Sequence, residues 1–228
     1  MISIIKKYIA QGTLVHELKT RKLNKSGLFP NPDNAIWFLG DSHVFGIGVE
    51  LEETAPQYLE TLINKTVINY GVPGSGPMMV EYRLDKLLKK HKPLAVVIAW
   101  PSFNRWQTDN ILGLPLFWMP NCLEKNYKPG RIDHFGCKNV WPKEWEQYKD
   151  LVLSGQLEKN NLELVNRVRE KLKNYPLVEF QYIPDSYTLE FPTPGYPFLD
   201  LGKDKLHNGP ITNIKVAEWV RDELQILL

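Results

Sequence analysis

The sequence predicts an α/β fold: three layers, with a mostly parallel sheet between two layers of helices. Short apolar runs alternate with longer stretches of helical spacing, and glycine and proline punctuate the boundaries. The 228 residues, 43% hydrophobic and 24% charged, are enough for one sizeable core and have the balance of a globular protein. These observations place the whole region 35–228 in a single domain.

Residues 35–39, AIWFL, read as a short, fully buried strand. Residues 54–65 have helical spacing, with Tyr58, Leu59, Leu62 and Ile63 on one side. TVINY at 66–70 is β-branched and aromatic, a second strand. Pro77 opens a helix whose apolar positions are Met78, Tyr82, Leu84, Leu87 and Leu88. Its basic end, Lys89, Lys90 and His91, suits the negative pole of the helix dipole. PLAVVIAW at 93–100 is the third strand, with Pro93 at its entrance. Residues 101–155 interrupt the alternation with prolines and aromatics, among them Trp106 and Trp118, and read as an insertion with a short helix near 143–153. Residues 157–174 form an amphipathic helix on Leu157, Leu162, Leu164, Val165, Val168 and Leu172. LVEFQYI at 177–183 is a fourth strand, and YPFLDLG at 196–202 a short fifth. The closing helix, 211–227, turns Ile214, Ala217, Val220, Leu224 and Leu227 inward. Strand, helix, strand in this order implies right-handed crossovers and a flavodoxin-like winding.

Charge excludes some partners. Lys and Arg total 28 against 26 acids, so the net charge is +2, and nucleic acid is not an expected partner. Residues 1–34 form a basic amphipathic segment, with Lys6, Lys7, Lys19, Arg21, Lys22 and Lys25 on a solvated face. No run approaches the length of a membrane span, and the opening MISIIKKYIAQG has the wrong order for a secretory leader. A cytoplasmic protein is expected. Cys122 and Cys137, with His134 between them, lack the close cysteine pair of a structural zinc site. They read as unpaired thiols; no metal and no cofactor are expected.

Sites in an open parallel sheet form beyond the carboxyl ends of the strands. Strand one ends in GDSHVFG, strand two in NYGVPGSG and strand three in WPSFNRW; DKLHNG at 204–209 precedes the last helix. A serine hydroxyl needs a base to take its proton, and that base needs a carboxylate to orient it. Asp204 and His207, three apart on one turn, suit that role toward Ser42; Asp200 is an alternative carboxylate with a poorer spacing. Oxyanion donors are available from the backbone after strand one, from Gly71 N–H and from the Asn104 amide. GVPGSGP looks like a phosphate loop but lacks the Lys-Ser/Thr of one. Asp41 reads as a cap or a substrate contact. His43 would point away from Ser42 if strand geometry continued, and is otherwise a possible substrate contact.

These blocks resemble those of the SGNH hydrolases, the GDSL-type esterases and lipases. The first block is Gly40, Asp41, Ser42 and Gly46; the glycine of the second is Gly71 after Asn69 and Tyr70; the terminal Asp-x-x-His is Asp204 and His207. The resemblance implies the three-layer SGNH fold, with Ser42 as nucleophile, His207 as base, Asp204 as orienting acid, and the Ser42 and Gly71 amides in the oxyanion hole. The third block departs from the family's Gly-x-Asn-Asp: this chain has Ser102, Phe103, Asn104 and Arg105. Arg105 or Ser102 then stands as a substitute donor. The resemblance implies a serine ester hydrolase acting on small or carbohydrate esters, with Trp106 and Trp118 available to stack on a sugar ring. The alternatives are a catalytically silent module binding a glycan or a protein, and an acyltransferase.

Overall fold

A computed structural model describes residues 30–103, 105–109, 115–118, 147, 150–184 and 191–227. Residues 1–29, Asn104, Cys122, His134, Cys137 and Asp185 lie outside the described residues. The sheet contains β1 (Ile36–Gly40), β2 (Val67–Gly71), β3 (Ala95–Ala99) and a fourth strand, Leu177–Phe180, all parallel. Two short strands of the insertion come earlier in the chain, β4 (Trp106–Asp109) and β5 (Pro115–Trp118), so the fourth sheet strand is β6. The order across the sheet is β2-β1-β3-β6. β4 and β5 pair with each other in an antiparallel hairpin that the sequence did not signal.

Alternation along the strands divides the interior in two. Ile36, Phe38, Val97 and Phe180 face one side, where they meet α2 (Ala55–Ile63) and the closing helix, α5 (Pro210–Leu227). Trp37, Leu39, Val96 and Ile98 face the other, where α3 (Pro77–Leu88) and α4 (Gln156–Leu172) cover them. β1 and β3, at the centre of the sheet, are buried on both faces, which is why they read as unbroken apolar runs. Each such side chain contributes about 1.5–3 kcal/mol of transfer free energy. On the second side, Glu81 of α3 joins Arg167 and Lys171 of α4 at 2.9 Å.

The helices differ from expectation mainly in which face they bury. α3 buries Met79, Val80 and Leu84 and exposes Met78 and Tyr82. α5 buries Val216, Ala217, Val220 and Leu224 but exposes Ile214 and Leu227. Leu62 of α2 and Leu162 of α4 are also exposed. The expected fifth strand is a loop, two of whose amides are taken by one side chain: Thr212 Oγ1 accepts the N–H of Leu199 at 3.0 Å and of Asp200 at 3.3 Å. Only an isolated bridge, Leu201 to Asn208, has strand character there. Within the short helix expected near 143–153, residues 147 and 150–153 are helical and the rest lie outside the described residues. Among the described residues no helix is long and apolar enough to cross a membrane.

Candidate active site

β1 ends at Gly40, and the chain turns at once into a single helical turn, α1 (Ser42–Phe45). Only glycine fits at position 40, because a Cβ would stand 2.4 Å from Val44 Cγ2 and 2.8 Å from Ala99 O. Asp41 is the N-cap; its Oδ1 accepts the His43 N–H at 3.0 Å. Gly46, at φ 86°, closes the turn in the left-handed region. Ser42 is thereby the first helical residue, at the carboxyl edge of the sheet.

His207 Nε2 lies 2.9 Å from Ser42 Oγ, across 165 positions of sequence. Its Nδ1 bonds Asp204 Oδ2. With Nδ1–H donating to a carboxylate, Nε2 presents its lone pair to the serine hydroxyl. Asp204 Oδ1 accepts the backbone N–H groups of Leu206 and His207, each at 3.1 Å. Burial works to raise the Asp204 carboxyl, but the bonds from the His207 ring and those two amides outweigh it and hold it below the usual carboxylate range. Asp204 and His207 meet on a non-helical turn, with Lys205 at φ 59°. Asp200 is occupied elsewhere: it caps α5, accepting Ile211 N–H at 3.0 Å and Thr212 N–H at 2.8 Å.

Two glycines let this loop dock behind α1. Gly48 O accepts Lys203 N–H at 2.7 Å. A Cβ on Gly48 would stand 2.6 Å from Asp204 Oδ1, and one on Gly202 would stand 2.8 Å from Gly48 O.

The strand order, the serine at the tip of β1 and the His207–Asp204 pair before the last helix settle the architecture. The fold is that of the SGNH hydrolases.

No protein-family model and no curated protein sequence matches the chain. Solved structures similar to it include the psychrotrophic esterase EstA from Pseudoalteromonas sp., 15% identical, covering 86% of this chain and 98% of that one at a TM-score of 0.44. TesA is 16% identical, covering 85% of this chain and 99% of that one at a TM-score of 0.44. Est24, a carbohydrate acetylesterase from Sinorhizobium meliloti, is 14% identical, covering 86% of this chain and 100% of that one at a TM-score of 0.39.

Several expected roles change in the SGNH frame. Gly71 was expected to supply an oxyanion amide, but its N–H is donated to Asn69 Oδ1 at 2.9 Å. The parallel ladder explains this. Val72 N–H goes to Gly40 O at 2.9 Å, so the amide one residue earlier faces the open edge beyond β2. Gly71 is glycine because α1 packs on it: a Cβ would stand 2.4 Å from Phe45 N.

Arg105 and Asp41 were expected at the substrate and instead pair with each other. Arg105 Nη1 donates to Asp41 Oδ2 at 2.7 Å and to Ser75 O at 2.9 Å, tying together the ends of β1, β2 and β3. The two side chains are 17% and 7% exposed, and a carboxylate so enclosed needs a cation. Burial raises the Asp41 carboxyl, while the charge of Arg105 and the bonds from Arg105 and the His43 N–H outweigh that and lower it. Ser102 is half-buried, its carbonyl accepting Arg105 N–H at 3.1 Å. Asn104 lies outside the described residues. Trp106 and Trp118 are register partners in the β4–β5 hairpin; the stacking expected of them concerns side chains outside the described ones.

His43 is also displaced from expectation. α1 replaces the strand geometry that would have turned it away, and its buried ring lies 4.9 Å from the His207 ring, centroid to centroid. Its Nδ1 lies 2.6 Å from Asn208 Oδ1. Sequence reasoning missed Asn208 altogether. Its position beside His207 in LHNG was the available signal, but its partner is visible only once the chain has folded back. Among the described residues no group of three or more His, Cys, Asp or Glu stands together as a metal site would require.

Proposed function

We propose that the chain is a serine ester hydrolase that works through an acyl-enzyme. The observation that carries this reading is the line from Ser42 Oγ to His207 Nε2, 2.9 Å, continued from His207 Nδ1 to Asp204. Ser42 Oγ attacks the ester carbonyl carbon while its proton passes to His207 Nε2. The imidazolium that forms faces the Asp204 carboxylate, which stays ionised. His207 then gives the proton to the leaving alkoxide, and the alcohol departs. Water repeats the sequence: it attacks the acyl carbon, His207 takes its proton, and Ser42 Oγ leaves with that proton.

The oxyanion needs donors fixed before the reaction. Ser42 N–H opens α1 without a partner among the described residues, and it is the first proposed donor. A second comes from the turn after β2. There Val72 N–H and Ser75 N–H are both used, Pro73 has none, and Gly74 sits at φ 74° at the apex. Gly74 N–H is the proposed donor, with Asn104 as a third. Ser42 is only 6% exposed, which favours small acyl groups. An acetylated carbohydrate is the proposed substrate class.

Purified protein and Ser42→Ala are compared on short-chain aryl esters and acetylated sugars. The reading predicts hydrolysis by the parent and a loss of about 10⁴-fold or more in the variant. Equal rates contradict it. Acyl sugars formed when an acceptor is added would assign the same chemistry to transfer.

A further inference from the structure

We infer that His43 and Asn208 are a positioning pair that fixes where the His207 ring stands relative to Ser42. This rests on the reading of Ser42 and His207 as the reacting pair. Two consecutive residues of α1 meet two consecutive residues of the loop before α5, each pair 165 positions apart: Ser42 with His207 at 2.9 Å, His43 with Asn208 at 2.6 Å. The contact is a two-rung ladder made of side chains. One rung carries the chemistry; the other, buried, sets the register.

The polarity of the second rung is fixed from its far end. Glu53 O is a backbone carbonyl and can only accept, so Asn213 turns its Nδ2 toward it, at 2.9 Å. Asn213 Oδ1 then accepts from Asn208 Nδ2. Asn208 Oδ1 is left for His43, which must donate from Nδ1. His43 and His207 are thus held in the same tautomer, each donating from Nδ1 to an oxygen. The chain of bonds runs from the 3₁₀ turn at Leu51–Glu53, through the first turn of α5, to the residue beside the nucleophile.

Packing leaves the His43 ring little freedom. His207 lies 4.9 Å from it, Tyr182 is stacked at 5.2 Å and Phe198 lies at 5.5 Å. The ring forms one wall of the space in which His207 moves. The groups facing it are Asp41 on its own turn with Arg105 beyond, His207 with Asp204 from the loop before α5, and the Tyr182 phenol beyond β6. Burial pushes the His43 imidazole down, against the Asp41 charge and the Asn208 bond, which raise it. An uncharged wall does not repel the proton His207 acquires; a second imidazolium at this distance would.

The test uses the full chain with His43→Leu, His43→Gln, Asn208→Leu and the double Leu variant. Two readouts are taken: the rate at which a fluorophosphonate labels Ser42, and the far-downfield proton resonance of His207 Nδ1–H, assigned by its loss in His207→Gln. The second needs no turnover. Each Leu variant should melt cooperatively, label about 10- to 100-fold more slowly, and shift or broaden the His207 resonance. The double variant should be no slower than the slower single one, and His43→Gln, which keeps an N–H donor, should recover most of the rate. Folded Leu variants with labelling within twofold of the parent and an unmoved resonance would overturn the proposal. Should His43→Leu fail to fold, His43→Gln and Asn208→Ser decide instead: the first keeps the resonance and the second disturbs it, and no difference between them overturns the pair. A parent that never labels removes the hydrolase reading, while the His207 resonance still decides the positioning role.

Discussion

Ser42 and His207 meet at one point, but the segments that carry them are held by different means. Ser42 follows a strand buried at every residue, and its turn is closed by backbone bonds, Phe45 N–H to Asp41 O at 2.9 Å and Gly46 N–H to Ser42 O at 3.0 Å. His207 stands in an irregular loop with Leu206, the residue before it, 75% exposed. That loop belongs to no ladder: the side chains of Thr212, Asp204 and Asn208 hold it together with isolated backbone bonds, Lys203 N–H to Gly48 O at 2.7 Å and Gly202 N–H to His207 O at 2.9 Å. The nucleophile is therefore placed by the ladder and the core, and the base by individual hydrogen bonds. Substitutions on the base side should remove activity and spare stability; those of the groups that brace the strand tips, the nucleophile itself aside, should cost stability first.

The largest expected effect tests the base side. Asp204→Asn keeps the shape but lets the imidazole take the wrong tautomer, and kcat should fall by about 10⁴-fold while the melting temperature stays near that of the parent. A loss below tenfold in ester hydrolysis would show that this carboxylate does not orient the base. On the strand side, Arg105→Met leaves the Asp41 carboxylate buried without its cation, and urea unfolding should show a loss of about 3–5 kcal/mol. An unchanged midpoint there would erase the contrast between the two segments. Gly48→Ala strikes where they touch. Its φ of 86° and the 2.6 Å approach to Asp204 Oδ1 predict a loss of about 1–3 kcal/mol together with slower turnover, read by melting and by assay.

The smallest effect is one of pH. The His43 imidazole is pushed down by burial, so as pH falls the unfolded chain takes up a proton before the folded one does. Stability is fully present above the unfolded value, about 6.5, and is lost as pH falls from there toward the folded value. His43→Gln should flatten that part of a stability–pH curve; a curve identical to the parent's would assign the loss to other groups.

The difference between the segments also explains what the sequence revealed. β1 and β3 were legible because strands buried on both faces leave continuous apolar runs, Ile36–Leu39 and Ala95–Ala99, and β2 because Thr66–Tyr70 is β-branched and aromatic. Asp204 and His207 were legible as a motif because they are neighbours in sequence. The inward faces of α3 and α5 were not, since both helices carry apolar residues on two sides, and only the sheet decides between Met79 and Met78 or between Val216 and Ile214. Gly71 was assigned by residue type, and the direction of its amide follows from ladder register, which no local pattern encodes. The pairs Arg105–Asp41 and His43–Asn208 join segments 64 and 165 positions apart, so neither leaves a local trace.

The most direct measurement is mass analysis of the chain after reaction with a fluorophosphonate, for the parent, His207→Ala and Ser42→Ala. The account predicts one adduct on the parent, mapped to the peptide containing Ser42, much slower labelling of His207→Ala and none of Ser42→Ala. Labelling that is indifferent to His207, or that settles on another residue, would contradict it.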